Sequence, residues 1–128
     1  MERVLIQIKN KQDRELLEEW LSKSYEIVTL GQDQEHPLDV PFDLAILDGP
    51  TIKANRGLVA KRRNEEEPVM LPFLLLSVRR RGTFPARHLG NLGKLVDDLI
   101  FRPLDQAELK ARVANLLRMR RISLELKK

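Results

Sequence analysis

Short apolar runs alternate with longer polar or amphipathic stretches along this chain of 128 residues. Five runs have the length and residue types of β-strands, and they are RVLIQI (3–8), YEIVTL (25–30), DLAIL (43–47), PFLLLS (72–77) and DLIF (98–101). The third and fourth runs are almost continuously apolar, which is typical of strands covered by helices on both faces. The pattern therefore predicts a buried five-stranded sheet.

The stretches between the runs favour helices. After the first run, apolar residues recur at helical spacing, at Leu16, Leu17, Trp20 and Leu21. A polar helix is predicted over residues 57–67, where it ends before Pro68. Residues 31–41 carry two prolines and predict a loop, whereas residues 86–92 predict a helix weakened by glycine.

The last helix has the clearest signals. Asp105 and Glu108, after Pro103, form a helix-start signature. One apolar stripe follows and is expected to cover the sheet; it contains Leu109, Val113, Leu116 and Leu117. A second stripe lies about a third of a turn away and contains Met119, Ile122 and Leu126.

The second stripe has nothing left in the domain to cover. We therefore predict that residues 118–128 form a helical extension, which contacts a dimer partner or links the chain to an output domain. The expected interface residues are Leu116, Met119, Ile122 and Leu126. The simpler alternative is a frayed tail with exposed leucines. Residues 1–128 as a whole have the length of a single domain.

Strands that alternate with helices indicate a parallel sheet with right-handed crossovers and helices on both faces. The predicted fold is a three-layer α/β/α sandwich, flavodoxin-like, with a five-stranded parallel sheet of order 2-1-3-4-5. In that order the functional crevice lies at the carboxyl ends of strands 1 and 3. Asp48 directly follows the third apolar run and is expected in this crevice.

Composition narrows the function classes. The net charge of +4 permits an anionic partner, but no aromatic residues are interleaved with the basic clusters at 61–63, 79–81 and 118–121, so nucleic acid is not the expected partner. The chain has no cysteine, which excludes disulfides and thiolate metal sites, and no run long enough to span a bilayer. We expect a soluble cytoplasmic protein without membrane contacts. His36 and His88 lack ligand-type neighbours and are read as ordinary surface residues.

The order of DLAILD, PFLLLS, DDLIFRP and AELKARVANLLRMRR resembles the receiver domain of two-component response regulators over nearly the whole chain. The resemblance implies that Asp48 is at the phosphoacceptor position and Ser77 at the hydroxyl position that ends strand 4. It puts Arg102 and Pro103 at the cis-type lysine–proline position, and Leu99 where the family has a switching aromatic residue. It also implies a signalling module and not an enzyme.

The sequence departs from that family at the end of strand 1, where receivers carry two acidic residues that hold Mg²⁺. Ile8 and Lys9 are at those positions; an isoleucine cannot ligate Mg²⁺ and an ammonium group repels it. The chain therefore resembles a degenerate or pseudo-receiver without a cofactor, and Mg²⁺ is relevant only if phosphorylation is retained. We predict that Lys9 or Arg102 forms an ion pair with Asp48 and supplies the charge of the missing metal.

The expected function is thus a receiver-like module of a two-component phosphorelay that contacts a signalling protein, an output domain or a second copy through its last helix. One alternative is a phosphorylation-competent receiver that borrows metal ligands, such as Asp13 or Asp43. A second alternative, from another class, is a nucleic-acid-binding module that uses the basic clusters, which requires a strongly salt-dependent affinity.

Overall fold

Five parallel strands form one sheet in the computed structural model, which describes residues 1–29, 38–78 and 95–127. The strands are β1 (Arg3–Gln7), β2 (Glu26–Thr29), β3 (Leu44–Asp48), β4 (Phe73–Val78) and β5 (Asp98–Arg102). The helices of the described ranges are α1 (Lys11–Leu21), α2 (Gly49–Ala54), α3 (Arg56–Glu66) and α4 (Gln106–Lys127). The sheet order is β2-β1-β3-β4-β5, and every neighbouring pair is parallel. The predicted fold and strand order are confirmed.

Alternate residues of the central strands enter two separate apolar cores. The core under α1 and α4 includes Val4, Ile6, Leu44, Ile46, Leu74 and Leu76. The core under α2 and α3 includes Leu5, Ala45, Leu47, Phe73 and Leu75. Both faces of β3 and β4 are therefore covered, as their continuous apolar sequences predict, and each fully buried aliphatic side chain stabilises the fold by about 1.5–3 kcal/mol.

The first helix starts at a capped end. The Asn10 carboxamide oxygen accepts the backbone N–H of Asp13 at 3.0 Å, which satisfies one of the free donors of the first helical turn. Leu17 and Leu21 of the predicted stripe are buried, and Trp20 packs against the same core. The cap fixes Asp13 on the first turn, next to the carboxyl ends of the strands.

Helix α2 is not predicted by apolar periodicity. It has six residues, too few for a stripe to repeat, and only Ile52 is buried. The signal that could have revealed it is local: Asp48 caps the helix and Pro50 lies in its first turn, which is a typical helix start. The predicted polar helix over 57–67 is confirmed as α3, which begins and ends one residue earlier than predicted.

Helix α4 is continuous for 22 residues. Asp105 caps it, because its carboxylate accepts the N–H of Glu108 at 2.9 Å, as the start signature predicts. The first stripe is buried against the sheet. Leu116 belongs to that stripe and is only 4% exposed. Its prediction as an interface residue is therefore wrong, because its side chain is already committed to the domain core.

Several predictions fall outside the described residues. These are the helix over 86–92, the basic cluster 79–81, both histidines and most of the loop over 31–41. Among the helices that the structure does describe, none is long and apolar enough to cross a membrane.

Candidate functional site at the carboxyl end of the sheet

The predicted site residues of three strands meet at the carboxyl edge of the sheet. Asp48 ends β3, Ser77 is the penultimate residue of β4, and Arg102 ends β5. The register sets Asp48 opposite Leu76 and Ser77 opposite Phe101, so the three positions follow one another across neighbouring strands. The fold thus brings together residues that are up to 54 positions apart in the sequence (102 − 48).

Both carboxylate oxygens of Asp48 accept backbone hydrogen bonds. Asp48 Oδ2 accepts the N–H of Lys9 at 2.8 Å, and Oδ1 accepts the N–H of Thr51 at 2.9 Å. The second bond caps α2. Pro50, between Asp48 and Thr51, has no N–H to offer a further anion. Asp48 therefore caps α2 and also connects the end of β3 to the segment that follows β1.

The two positions expected to be degenerate lie directly after β1 and behave differently. Ile8 is 5% exposed and belongs to the core under α1 and α4. Lys9 is exposed and contacts Asp48 through its backbone N–H. Neither side chain provides an oxygen ligand to the crevice, so the residues present do not fit a divalent cation of the Mg²⁺ type.

Arg102 pairs with Asp13 and not with Asp48. The Arg102 Nε atom lies 2.6 Å from Asp13 Oδ2, and the prediction that Lys9 or Arg102 forms an ion pair with Asp48 is wrong. Asp13 is on α1, which packs on β1, whereas Arg102 ends β5; β3 and β4 lie between them in the sheet. The pair therefore spans the crevice above the carboxyl ends of β3 and β4.

The pair between Arg102 and Asp13 is close but poorly satisfied. The Asp13 side chain is 10% exposed, and the Arg102 side chain 40%. In spite of the short N···O distance, Asp13 Oδ2 accepts no aligned hydrogen bond. A buried carboxylate without aligned donors is costly, so the contact is an electrostatic one whose geometry leaves part of the bonding capacity of Asp13 unused.

The remaining predicted switch residues, Ser77 and Leu99, show no special contact at this edge among the described residues. Ser77 is half-buried, and within the described part of the chain its hydroxyl has no hydrogen-bond partner. Leu99 packs against the core under α2 and α3. The peptide bond between Arg102 and Pro103 is cis, which agrees with the bond expected at these two positions.

Asp43 cannot contribute a metal ligand to this crevice. It precedes β3, whereas Asp48 ends it, and the five residue steps between them along the strand amount to roughly 16 Å. Asp13 is the other residue named as a borrowed ligand, and its carboxylate is paired with Arg102. Among the residues in the described ranges, no three His, Asp or Glu side chains cluster as a metal site would require.

At the opposite edge, a buried arginine was missed by the sequence analysis. Arg120 is 9% exposed; its Nε donates to Asp43 Oδ1 at 3.2 Å, and an Nη1 hydrogen is donated to the Met70 carbonyl at 3.0 Å. Asp43 Oδ2 accepts the N–H of Arg3 at 2.8 Å. The spacing offers a signal, because Arg120 follows Val113 and Leu116 at helical intervals and so continues the buried stripe.

Two of the basic clusters serve the fold. In the cluster 61–63, Arg62 donates to the carbonyls of Leu38 and Val40, and Arg63 donates to the Leu95 carbonyl and pairs with Asp97 at 2.9 Å. In the cluster 118–121, Arg120 is buried as described, and Arg121 pairs with Glu2 at 2.6 Å. These contacts occupy guanidinium groups that a nucleic-acid backbone would need.

No protein-family model matches the chain, and no curated protein matches it in sequence. Solved structures do match it in three dimensions. NtrX from Brucella abortus superposes with a TM-score of 0.74 at 19% identity, over 98% of this chain and 28% of NtrX, so this chain spans under a third of that protein.

Two further matches cover most of both chains. A response regulator receiver modulated diguanylate cyclase from Pelobacter carbinolicus has a TM-score of 0.65 at 22% identity, over 98% of this chain and 99% of the other. The signal receiver domain of a signal transduction histidine kinase from Syntrophus aciditrophicus has a TM-score of 0.65 at 21% identity, over 91% and 90%. At these identities the likeness concerns architecture, and the chain has the α/β fold of response regulator receiver domains.

Proposed function

We propose that this chain is a receiver-like signalling module of a two-component phosphorelay, in which Mg²⁺-dependent phosphorylation of Asp48 is impaired. Its receiver-type fold supports the first part of the proposal. The second part rests on one observation: the segment that leaves β1 offers Asp48 a buried isoleucine, a lysine and a backbone N–H in place of two carboxylates. The module acts through contacts with other proteins and not as an enzyme.

Charge balance at the crevice supports the impairment. Phosphoryl transfer to a carboxylate is accelerated by cations that neutralise the developing charge. Here the Asp13 carboxylate is already paired with the cation of Arg102, and both oxygens of the Asp48 carboxylate accept backbone N–H groups. A divalent ion would find no oxygen ligand in the side chains of residues 8 and 9. The charge of Asp13 is thus compensated by Arg102 without a metal.

The decisive experiment is incubation of the full chain with Mg²⁺ and a small phosphodonor, followed by intact-protein mass spectrometry. We expect no phosphoryl adduct and no rise in the melting temperature with millimolar Mg²⁺. Asp48→Asn is the matched control. An adduct on the unchanged chain that disappears in Asp48→Asn contradicts the impairment and establishes a competent receiver; an adduct that persists in Asp48→Asn points to another residue and leaves the impairment of Asp48 intact.

The proposed partner surface is the exposed side of α4 together with β5. Arg112 fixes the two elements to each other, since it donates to both oxygens of Asp98 at 2.8 Å. Beyond that contact, Met119, Ile122 and Leu126 are exposed by 49%, 53% and 82%. We propose that these three residues contact a signalling protein, an output domain or a second copy of the chain, because exposed apolar stripes mark interaction surfaces.

Sedimentation of the full chain over a range of concentrations tests the homodimer. Ile122→Lys removes an apolar contact without disturbing the core, and it should abolish any self-association. Glu19→Lys, exposed on α1, introduces a positive charge elsewhere and should leave association unchanged. A chain that stays monomeric throughout contradicts the homodimer and leaves the output domain or another protein as partner.

A further inference from the structure

Helix α4 carries an exposed apolar stripe whose position relative to the domain is fixed by three anchors. Arg120 binds Asp43 and the Met70 carbonyl, and the Ser123 hydroxyl accepts the N–H of Met70 at 2.9 Å. Arg121 pairs with Glu2. The helix is thus attached to the domain as far as residue 123, and its orientation is set by hydrogen bonds as well as by apolar packing.

These anchors also show where the stripe lies along the strand direction of the sheet. Asp43 precedes β3 and Met70 precedes β4, so both lie at the amino edge of the sheet. Residues before 120 run beside the sheet, whereas the last turns reach the amino edge and continue past it. Leu124 and Leu126, in these last turns, are 38% and 82% exposed.

The apolar residues of the stripe share one side of α4, and two charged residues lie beside them. At about 100° per residue, Met119, Ile122 and Leu126 share an arc of about 60°, and the exposed Asn115 extends the same arc by one turn. The arc lies about 130° from the buried stripe, so the domain does not block it. Arg118 and Glu125 are seven residues apart and border the arc on the same side.

We propose that the stripe pairs with the same stripe of a second copy of this chain, and that the two α4 helices run antiparallel. This inference rests on the partner surface of the proposed function and adds the identity and direction of the partner. In the antiparallel register Met119 meets Ile122 of the second copy, and Asn115 meets Leu126. The contact is isologous, so every pair occurs twice around a two-fold axis near residue 120.

Charge complementarity selects the antiparallel direction. With that register, Arg118 of each chain lies opposite Glu125 of the other, which gives two pairs of opposite charge by symmetry. A parallel pair with the same stripe would put Arg118 beside Ser123 of the second copy and would gain neither pair. Exposed ion pairs add little affinity, but they discriminate between orientations.

The antiparallel direction also accommodates the two domains. Each domain lies beside the amino-terminal part of its own α4 and ends near residue 123, so the domains extend away from the two-fold axis in opposite directions. The contact is small compared with the roughly 800 Å² per partner of a standard interface. We therefore expect weak association, with a dissociation constant in the micromolar range or above, and a dimer that forms at high local concentration.

Cysteine cross-linking tests the direction, because the chain contains no cysteine. Asn115→Cys and Leu126→Cys are made separately and oxidised in a redox buffer, alone and as a mixture. In the antiparallel pair the mixture forms the mixed disulfide, whereas Leu126→Cys alone does not, because its two copies are 11 residues of helix apart (126 − 115), roughly 16 Å. A disulfide of Leu126→Cys with itself, and none in the mixture, overturns the proposal.

Charge reversal provides a second, independent readout by sedimentation. Arg118→Glu sets like charges opposite each other twice and should weaken association roughly tenfold, and Arg118→Glu combined with Glu125→Arg should restore it. Lys110→Glu, exposed on another side of α4, is the matched control. If Arg118→Glu does not change the dissociation constant, the antiparallel pair is contradicted and a homodimer of another geometry remains. If the protein is monomeric at all concentrations, the homodimer itself is contradicted. The phosphodonor experiment is independent of both outcomes.

Discussion

The two edges of the sheet each hold an arginine–aspartate pair, and the pairs differ in how well they are satisfied. At the amino edge, Arg120 and Asp43 also bond to backbone groups of Met70 and Arg3. At the carboxyl edge, Arg102 approaches Asp13 at 2.6 Å, yet Asp13 Oδ2 receives no aligned hydrogen bond. The amino pair is a structural joint, whereas the carboxyl pair spans the crevice at the strand ends, which is where flavodoxin-like folds in general bind their ligands.

This difference shows which of the buried ion pairs stabilises the fold. A buried pair stabilises a structure only when additional hydrogen bonds satisfy its remaining atoms. By that criterion the pair of Arg120 and Asp43 at the amino edge stabilises the fold. The pair of Arg102 and Asp13 at the carboxyl edge is compensated in charge but poorly bonded.

The largest effect is expected at the amino edge. Arg120→Met should lower the free energy of unfolding by about 2–3 kcal/mol, because it leaves Asp43 Oδ1 and the Met70 carbonyl without their donor and the Asp43 carboxylate without its cation. Arg121→Met, one residue on but exposed, should cost less than about 0.5 kcal/mol. Urea denaturation of both variants measures the difference, and equal effects would show that Arg120 is not a structural joint.

At the carboxyl edge, substitution of Arg102 should destabilise the protein more than substitution of Asp13. Arg102→Met should destabilise the protein by about 1–2 kcal/mol, since it leaves the buried Asp13 carboxylate unpaired. Asp13→Asn should cost less than half of that, because the half-exposed Arg102 can return to water. Comparison of the two variants by thermal unfolding tests the asymmetry. A larger loss for Asp13→Asn would mean that the pair is as well bonded as the one at the amino edge.

Asp48 should behave as a helix cap. Asp48→Ala removes the acceptor of two backbone hydrogen bonds and should lower stability by about 1–2 kcal/mol. Asp48→Asn retains one carbonyl oxygen and should cost about half as much. Chemical denaturation gives both values, and an Asp48→Ala variant as stable as the parent chain would show that Asp48 is held for a function alone.

The smallest effect is a titration at the amino edge. Burial raises the pKa of Tyr25, the nearby Glu2 carboxylate raises it further, and Arg121 lowers it. The folded state therefore favours the neutral phenol, so this stabilising contribution is complete below the unfolded pKa of about 10 and is lost as the pH rises through the folded value. Tyr25 is the only tyrosine, so its ultraviolet titration is unambiguous.

Two variants connect that titration to the docking of α4. Arg121→Gln should raise the pKa of Tyr25, and Glu2→Gln should lower it, if the pair of Arg121 and Glu2 persists in solution beside Tyr25. An unchanged titration in Arg121→Gln would indicate that the end of α4 has left the amino edge.

The fold was predictable because its signals are strong and local. The near-continuous apolar sequences of β3 and β4 require cover on both faces, and the alternation of strands with helices restricts the topology to few solutions. α2 was missed because six residues cannot show a helical period; its cap and its proline were the available signal.

The positions of the site residues were also predictable, but their pairing was not. Sequence order and the strand ends were enough to bring Asp48, Ser77 and Arg102 to one edge. Which carboxylate Arg102 contacts depends on the length of its side chain and on the first turn of α1, which presents Asp13 to the crevice. A strand pattern contains no information on that choice.

The sequence by itself determined the order of the strands, the buried stripe of α4 and the absence of carboxylates at residues 8 and 9. These follow from residue type and spacing, which act over a few neighbouring positions. Only the tertiary structure decided that Asp48 accepts the backbone N–H of Lys9, that Arg102 is paired with Asp13, and that Arg120 is buried on Asp43. These contacts join residues 39 to 89 positions apart (48 − 9 and 102 − 13), and distance and burial in the folded chain select among the available charges.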